Sequence, residues 1–398
     1  MKGGPAMINY PENVIKIAKI LKANGYEAYA VGGCMRDAIM GRTPNDWDMT
    51  TSCSPKKMLE IFENANIRTI PTGLKHGTVT VLLDGCSYEC TTFRIDGEYT
   101  DSRHPSEVTF TKNLADDLCR RDFTVNAMAG NPLVDGEVVD LYGGREDIEK
   151  RIIRAVGDPE KRFTEDALRI LRAIRFATVL NFEIDQDTKN AAISLGHRLS
   201  DISAERKSVE FEKILLSSHP DRGISLLLEC DIAKYIHPEI KAPKVAVSSL
   251  PERFPTRLAS VFGNVPSLSC MKLSNEITKQ TKLLCDDELY KSCLNFSDNA
   301  EACARFAISK YNNLAHDAAL LRKDEKFALV ISNESEKAPA VSIRDLKIGG
   351  NDLISAKITP KKIGNIMQNL LLSVIEDPSL NEKEKLLALA QIENKKEF

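Results

Sequence analysis

The stretch from Ala30 to Thr51 constrains the fold of this chain more than any other part of it. Tyr26 to Val31 has the composition of a strand, and the two glycines that follow form a turn that needs no Cβ. Arg36 to Met40 then begins a helix. Backbone N–H groups at the start of such a helix attract phosphate. The sequence therefore predicts a strand, a phosphate-binding turn and a helix in immediate succession.

A pair of carboxylates follows this turn, in the sequence Asp46-Trp47-Asp48. Because side chains on a strand alternate, both aspartates project to one face and the tryptophan to the other. Adjacent carboxylates repel unless a cation joins them, and Mg²⁺ takes one or two carboxylates together with substrate phosphate oxygens. A lone Asp-x-Asp is also typical of a polar turn that caps a helix. The order of strand, glycine turn and carboxylate pair favours a nucleotide–metal site.

The composition is that of a globular protein. At 398 residues, with 42% hydrophobic and 28% charged residues, the chain can bury substantial cores and should fold as two to four units. We expect a cytoplasmic protein without a membrane span, because no long apolar run and no secretory signal is present. The net charge of −3 restricts any RNA site to a local basic patch. The ten cysteines contain no Cys-x-x-Cys pair and are expected to be reduced and mostly buried.

Amphipathic patterns predict the elements around the carboxylate pair. They indicate a helix over residues 11–25 with an apolar face, a second helix from Ser54 to Phe62, and a β-hairpin of Thr78 to Leu83 and Ser87 to Phe93 around an Asp84-Gly85 turn. The apolar face of the first helix contains Val14, Ile17, Ala18 and Leu21.

The second hairpin strand contains a further carboxylate, Glu89, which shares a face with Thr91 and Phe93. If the hairpin packs beside the aspartates, Glu89 becomes a third carboxylate near the metals; otherwise it faces solvent. Asp96 to Thr111 is polar and rich in turn residues, which predicts a mobile loop.

Two arginine-rich segments follow. Arg120 and Arg121 give planar, multi-donor charge suited to a triphosphate, and Asp122 and Asn126 lie four apart on a predicted helix, placed to meet a ribose or to order the arginines. The segment from Glu165 to Phe176 has helical periodicity. Its apolar face contains Ala167, Ile170, Leu171, Ile174 and Ala177, and its other face contains Glu165, Arg169 and Arg172, flanked by Asp166 and Arg175. A solvated charged face is the alternative interpretation.

These motifs resemble those of the nucleotidyltransferases related to DNA polymerase β, in particular the class II (bacterial-type) CCA-adding enzymes and their poly(A) polymerase relatives. Residues 120–127 match the family's Arg-Arg-Asp-Phe-Thr-x-Asn-Ala motif at every position, and residues 165–172 match Glu-Asp-x-x-Arg-x-x-Arg. The resemblance is specific from about residue 26 to 215 and diffuse beyond. It implies an α+β protein with a polymerase-β-like head, a mixed sheet with helices, followed by all-α neck, body and tail domains.

The resemblance also implies roles for named residues. Asp46 and Asp48 would hold two Mg²⁺ ions with Glu89 beside them, and Gly33, Arg36 and Arg121 would orient the nucleotide phosphates. Asp122 and Asn126 would serve the nucleotide site. Asp166 and Arg169 would act as a protein template: cytosine and adenine each present an amino donor next to a ring acceptor, which suits a carboxylate beside a guanidinium. Arg172 and Arg175 would assist the incoming nucleotide.

The predicted domains are a head over residues 1–150, a neck with the template helix over 151–219, a body over 220–310 and a tRNA-binding tail over 311–398. The expected activity is template-independent addition of C, C and A to the 3′ end of tRNA from CTP and ATP, with pyrophosphate release. The expected partner is tRNA, which the protein would contact at the acceptor end and the elbow. The protein itself is expected to be a monomer or a homodimer.

Other activities stay open from the sequence. They are poly(A) polymerase, partial addition of CC or of A alone, and a catalytically silent RNA-binding protein on the same scaffold. In the family, the loop that corresponds to residues 96–111 is required for adding the last A, and here it has its full length, which disfavours addition of CC alone.

Overall fold

A computed structural model describes residues 8–97 and 108–395 of the chain. The backbone contacts divide the protein into two compact units, residues 1–238 and residues 239–398. The finer division into head, neck, body and tail stays a prediction. Among the described residues, no helix combines the length and the apolar character needed to cross a membrane.

The strands all belong to the first unit, as far as the described residues go. In chain order they are β1 (Ala28–Val31), β2 (Met49–Thr51), β3 (Thr69–Gly73), β4 (Thr78–Leu83), β5 (Cys86–Thr92), β6 (Arg94–Asp96), β7 (Val108–Phe110), β8 (Met128–Gly130), β9 (Val138–Asp140), β10 (Ile152–Ile153) and β11 (Glu183–Ile184). A mixed sheet has the spatial order β3, β4, β5, β2, β1, β8, β9, while β6 pairs with β7 and β10 with β11.

The helices of the first unit cover this sheet and continue beyond it. They are α1 (Glu12–Ala23), α2 (Gly33–Ile39), α3 (Pro55–Asn64), α4 (Leu114–Cys119), α5 (Gly144–Lys150), α6 (Pro159–Glu165), α7 (Leu168–Leu180), α8 (Gln186–Leu195), α9 (Ala204–Leu215) and α10 (Pro220–Glu229). The helix predicted over residues 11–25 is confirmed as α1, and the four apolar residues of its predicted face are its buried ones.

The predicted hairpin is confirmed as β4 and β5. The turn residues Asp84 and Gly85 both have positive φ, 49° and 77°, as an Asp-Gly hairpin turn requires. Phe93 lies just after β5 and is fully buried, whereas Glu89 is exposed, so the prediction that they share a face is wrong. The chain leaves the strand at Phe93, whose N–H donates to the carbonyl of Thr51.

The predicted loop from Asp96 to Thr111 is shorter than expected, because β6 and β7 pair in antiparallel register at its ends. Residues 98–107, the centre of that loop, lie outside the described residues.

The second unit is helical in the described residues, as predicted. Its helices are α11 (Phe254–Ala259), α12 (Asn275–Leu284), α13 (Asp287–Leu294), α14 (Ala300–Tyr311), α15 (Ala315–Leu320), α16 (Glu325–Glu336), α17 (Gly350–Ser355), α18 (Ile363–Glu376) and α19 (Lys383–Lys395). Arg305 of α14 and Glu334 of α16 form a buried ion pair, with 2.9 Å between Nη1 and Oε2. All ten cysteines are free thiols, and six of them are buried.

Candidate active site

The glycine turn lies between β1 and α2, as predicted. Gly32 has φ 83° and ψ −134°, a conformation that only glycine adopts readily, and Gly33 is the first residue of α2. A Cβ at Gly32 would stand 3.3 Å from Nη1 of Arg121. The turn therefore places backbone that has no side chain close to Arg121, one of the predicted phosphate-binding arginines.

The two aspartates lie in an extended segment just before β2, not inside a strand as predicted. The alternation still holds, because Trp47 is buried against the ring of Tyr10 while Asp46 and Asp48 are exposed. The carbonyl of Asp48 accepts a hydrogen bond from the N–H of Val31 at 2.9 Å, which ties the segment to the glycine turn.

Parallel pairing of β2 and β5 brings the third acid to this pair. Met49 is in register with Cys90, and both are buried. The residues that precede them, Asp48 and Glu89, therefore lie side by side on the opposite, exposed face.

The electrostatics of the three acids fit a cation. The pKa of Asp48 is raised to about 6, first by loss of hydration and then by the negative charges of Asp46 and Glu89, while Arg121 lowers it. Within the described residues, neither aspartate carboxylate has a hydrogen-bond or ion-pair partner, and no three His, Cys, Asp or Glu side chains form a ready metal-binding group. Asp46 and Asp48 are therefore the residues that could hold a divalent metal, with Glu89 adding charge.

The two arginines of the Arg-Arg-Asp motif are held by one carboxylate that the sequence analysis did not identify. Asp117 of α4 is fully buried and accepts hydrogen bonds from Nε and Nη2 of Arg120, at 3.0 and 2.7 Å, and from Nη2 of Arg121 at 3.1 Å. The two arginines lower the pKa of Asp117 against the effect of its burial. Spacings of three and four residues were the signal that could have identified Asp117.

Asp122 and Asn126 lie close together, but the helix predicted for them is wrong. α4 ends at Cys119, and only a 3₁₀ turn over Thr124–Asn126 follows. Asn126 Nδ2 donates to Asp122 Oδ1 at 3.2 Å, and Arg36 Nη1 donates to Asn126 Oδ1 at 2.8 Å. The motif therefore joins α2 to the Arg-Arg-Asp segment.

Asp122 also joins this segment to α7. Arg172 donates to Asp122 Oδ2 through Nε and Nη2, at 2.9 and 2.6 Å. Burial would raise the pKa of Asp122, but Arg172, Arg169 and the Asn126 amide lower it to about 2. Asp122 is therefore held in its ionised form at neutral pH.

Three guanidinium groups surround Phe176 of α7. Those of Arg36 and Arg172 lie 5.3 Å from the ring centroid and that of Arg175 lies 4.1 Å from it, which are cation–π distances. Glu210 of α9 is buried and lies 2.6 Å from Nε of Arg175. The structure thus brings together arginines that are far apart in the sequence.

The helix predicted to contain the template is interrupted at Asp166, the carboxylate predicted to contact the base. α6 ends at Glu165, Asp166 has an extended backbone, and α7 begins at Leu168. Asp166 and Arg169 are therefore not on one helix, although the N–H of Arg169 donates to the carbonyl of Asp166 at 3.0 Å. The predicted apolar face is confirmed, since all five of its residues are buried.

Both residues of the predicted template, Asp166 and Arg169, form hydrogen bonds within the protein. Asp166 Oδ1 accepts from the N–H of Leu168 at 3.0 Å, and Oδ2 accepts from Nη2 of Arg206 at 2.7 Å. Arg169 is buried, which contradicts the alternative interpretation of a solvated charged face, and it donates to Glu165 Oε2 and to two backbone carbonyls. Sequence reasoning missed the contact of Arg206, because α9 is remote along the chain.

Comparisons with known proteins agree on a family. Residues 28–154 match the family described as Poly A polymerase head domain, and residues 181–243 match the one described as Probable RNA and SrmB- binding site of polymerase A. The chain is 36% identical to a CCA-adding enzyme of Leuconostoc mesenteroides, over 93% of this chain and 94% of that protein. It is 35% identical to the CCA-adding enzyme of Anoxybacillus flavithermus, over 96% and 97%. The crystal structure of the Bacillus stearothermophilus CCA-adding enzyme in complex with CTP superposes with a TM-score of 0.79 at 30% identity, covering 96% of both chains.

Proposed function

The chain belongs to the class II family of CCA-adding enzymes and poly(A) polymerases, and we propose that it adds C, C and A in turn to the 3′ end of tRNA. CTP and ATP are the donors, and pyrophosphate leaves at each step. The observation that carries this proposal is similarity to CCA-adding enzymes over more than nine-tenths of the chain. The carboxylate pair beside a glycine turn and an arginine supports the proposal. Nucleotidyl transfer requires that the negative charge of the triphosphate be neutralised at the reacting phosphate, which a metal and an arginine can do together.

Asp46 and Asp48 are the proposed ligands of the divalent metal, and Mg²⁺ suits their oxygen donors best. When bound, such a metal lowers the pKa of the attacking ribose hydroxyl and neutralises charge on the triphosphate. The mutual repulsion of Asp46, Asp48 and Glu89 supports this assignment, because it is relieved by a cation. Glu89 is proposed to add charge near the metal from the neighbouring strand.

Arg121, Arg36 and Gly33 are proposed to bind the phosphates of the nucleotide. Nη1 of Arg121 lies beside the glycine turn and has no acceptor within the described part of the chain, so it retains hydrogen-bonding capacity for a ligand. Gly33 lies beside the guanidinium of Arg36, whose Nη2 is 3.6 Å from the position of a Cβ there, an ordinary contact distance. Asp122, Asn126, Arg172 and Arg175 are proposed to hold this arrangement in shape around the nucleotide.

Asp166 and Arg169 are proposed to select the base, and their existing contacts leave them able to do so. Each carboxylate oxygen of Asp166 has two lone pairs and accepts one hydrogen bond from the described residues, so it can also accept one from the amino group of cytosine or adenine. The guanidinium of Arg169 has five N–H donors, of which three are used. A uracil or guanine carbonyl would face the carboxylate instead, which is repulsive.

The metal assignment is tested by replacing Asp46 or Asp48 with alanine. We expect incorporation of labelled CMP and AMP to fall at least a thousandfold, because metal-assisted transfer loses its ligands, while tRNA binding stays within about twofold. Asp135→Ala, which removes an exposed carboxylate from the turn between β8 and β9, is the matched control and should retain activity. More than a few per cent residual incorporation would contradict the assignment.

The same assay separates full addition from its relatives. The substrates are tRNA that ends before CCA, tRNA that ends in CC, and an unrelated RNA, each with single labelled nucleotides. A CCA-adding enzyme labels the first with CTP and the second with ATP, whereas a poly(A) polymerase labels the unrelated RNA.

The four-domain division and the cytoplasmic location stay predictions.

A further inference from the structure

We propose that Asp117 is a positioning residue that aims Arg121 at the triphosphate and fixes it relative to Asp48. This inference rests on the proposed function and adds a residue that precedes the motif over residues 120–127. Asp117 lies on α4, and its side chain has no solvent exposure. A buried carboxylate is unfavourable unless it is paired and hydrogen-bonded, so its contacts explain its presence.

The two oxygens of Asp117 have different partners. Oδ1 accepts both hydrogen bonds from Arg120, and Oδ2 accepts from Arg121 Nη2 at 3.1 Å. The hydroxyl of Thr50 lies 3.2 Å from Oδ2 and 3.2 Å from the carbonyl oxygen of Thr91, so these two acceptors share its single proton. Thr50 is in β2, two residues after Asp48. One carboxylate oxygen therefore ties the guanidinium of Arg121 to the strand that follows the predicted metal ligands.

The rest of the Arg121 guanidinium is left for a ligand. Nη2 is bound to Asp117 and Nε is buried, whereas Nη1 lies beside Gly32 and has no acceptor among the described residues, so Nη1 is the group that a phosphate can reach. An arginine held at one nitrogen in this way has its orientation fixed in advance. Less freedom is then lost when it binds a phosphate.

This arrangement predicts which kinetic constants change. Arg121 lies beside the glycine turn, where it would act on phosphates that CTP and ATP share. Loss of its orientation should weaken the binding of both nucleotides by the same factor. Loss of a charged hydrogen bond corresponds to roughly tenfold in affinity.

The first test is Asp117→Asn. Turned one way, the NH₂ group of the amide faces Arg120; turned the other way, it faces Arg121 and Thr50. In both cases Arg121 loses its charged acceptor, because only a neutral amide oxygen or no acceptor remains beside it. We expect KM to rise about tenfold for both CTP and ATP, kcat to change less than twofold, and the inhibition constant of pyrophosphate to rise in parallel. Pyrophosphate isolates the phosphate contacts because it has neither base nor ribose.

Asp147→Asn is the matched control. Asp147 is also buried and also accepts hydrogen bonds from an arginine and a threonine, Arg154 and Thr124. A substitution there should lower the melting temperature without a change in either KM. If Asp117→Asn behaves like Asp147→Asn, or if it changes KM for one nucleotide only, the proposal is wrong.

A second pair of variants covers the case in which Asp117→Asn does not fold. Thr50→Ser keeps the hydroxyl that donates to Asp117, whereas Thr50→Val removes it at nearly constant volume. We expect both KM values to rise severalfold in Thr50→Val and to stay unchanged in Thr50→Ser. Equal KM values in the two variants would overturn the proposal.

Failure of the proposed function would be visible separately. Wild-type protein that adds neither C nor A to tRNA refutes that function. CTP affinity of the same variants, measured by calorimetry without tRNA, still tests Asp117: weaker CTP binding in Asp117→Asn supports the inference, and unchanged binding contradicts it.

Discussion

At the scale of single residues, Asp48 lies where its charge serves the proposed metal site but lowers the stability of the folded protein. Its carboxylate lies beside Asp46 and Glu89, and loss of hydration together with these charges raises its pKa from 3.8 to about 6. The native state therefore binds more protons than the unfolded state between these two values. Stability contributed by Asp48 must fall as the pH rises from about 4 to about 6, and the penalty is complete above that range.

Asp48→Asn should for this reason stabilise the metal-free protein while it abolishes activity. In urea denaturation with a chelator at pH 8, we expect the free energy of unfolding to rise by about 1 kcal/mol, a value already reduced for the exposure of the side chain. The gain should largely disappear at pH 4, where native Asp48 is protonated. The exposed Asp135→Asn serves as control and should show no gain; a gain at pH 4 as large as at pH 8 would contradict the argument.

At the scale of elements, the sequence predicted what depends on local pattern. The apolar spacing of α1 and α7 identified their buried faces, and the Asp84-Gly85 turn identified the hairpin. The register of Met49 with Cys90 was not accessible from sequence, because it depends on which strands become neighbours. That parallel register is what places Glu89 beside Asp48.

The incorrect helix predictions have a common cause, which is a side chain that binds nearby backbone or a distant segment. The carboxylate of Asp166 accepts from the N–H of Leu168, the first residue of α7, and the backbone of Asp166 is extended, so α6 ends at Glu165. A solvated charged face was the alternative interpretation for Arg169, but the carbonyls of Arg162 and Arg120 accept its hydrogen bonds in the interior. Periodicity alone contains no information on such acceptors.

Packing between helices gives a prediction that reverses the usual effect of glycine. Gly223 lies inside α10, and a Cβ there would stand 2.4 Å from Cγ2 of Ile214 in α9 and 2.8 Å from Oγ1 of Thr178 in α7. Although alanine favours a helix by up to about 1 kcal/mol, overpacking of this kind costs more. We expect Gly223→Ala to lower the free energy of unfolding by about 2 kcal/mol, measured by urea denaturation.

Gly364 of α18 is the matched control for Gly223. Among the described residues, no atom outside the neighbouring backbone of α18 lies within 4 Å of a Cβ built there. Gly364→Ala should therefore raise the free energy of unfolding, by about 0.5 kcal/mol, through the lower entropy of the unfolded chain. Equal effects at the two positions would show that contact with α9 and α7 does not decide the outcome.

At the scale of the whole molecule, the residues proposed for nucleotide binding all belong to residues 1–238, whereas residues 239–398 form a separate compact unit. The second unit has its own apolar clusters and its own buried ion pair, between Arg305 and Glu334. Arg305 also donates to the carbonyls of Ile375 and Glu376, so it joins α14 to the end of α18. Each unit thus contains the interactions that an independent unfolding transition requires.

Two such transitions can be assigned by changing one unit at a time. In calorimetry we expect Gly223→Ala to lower the melting temperature of one transition and Arg305→Leu that of the other, because the latter leaves Glu334 and two carbonyls without their buried donor. CTP should raise the melting temperature of only one transition, the one whose melting temperature Gly223→Ala lowers, since ligand binding stabilises the unit that contains the site. A single transition that all three changes shift together would mean that the units unfold as one, and that nucleotide binding is linked energetically to the helical second half.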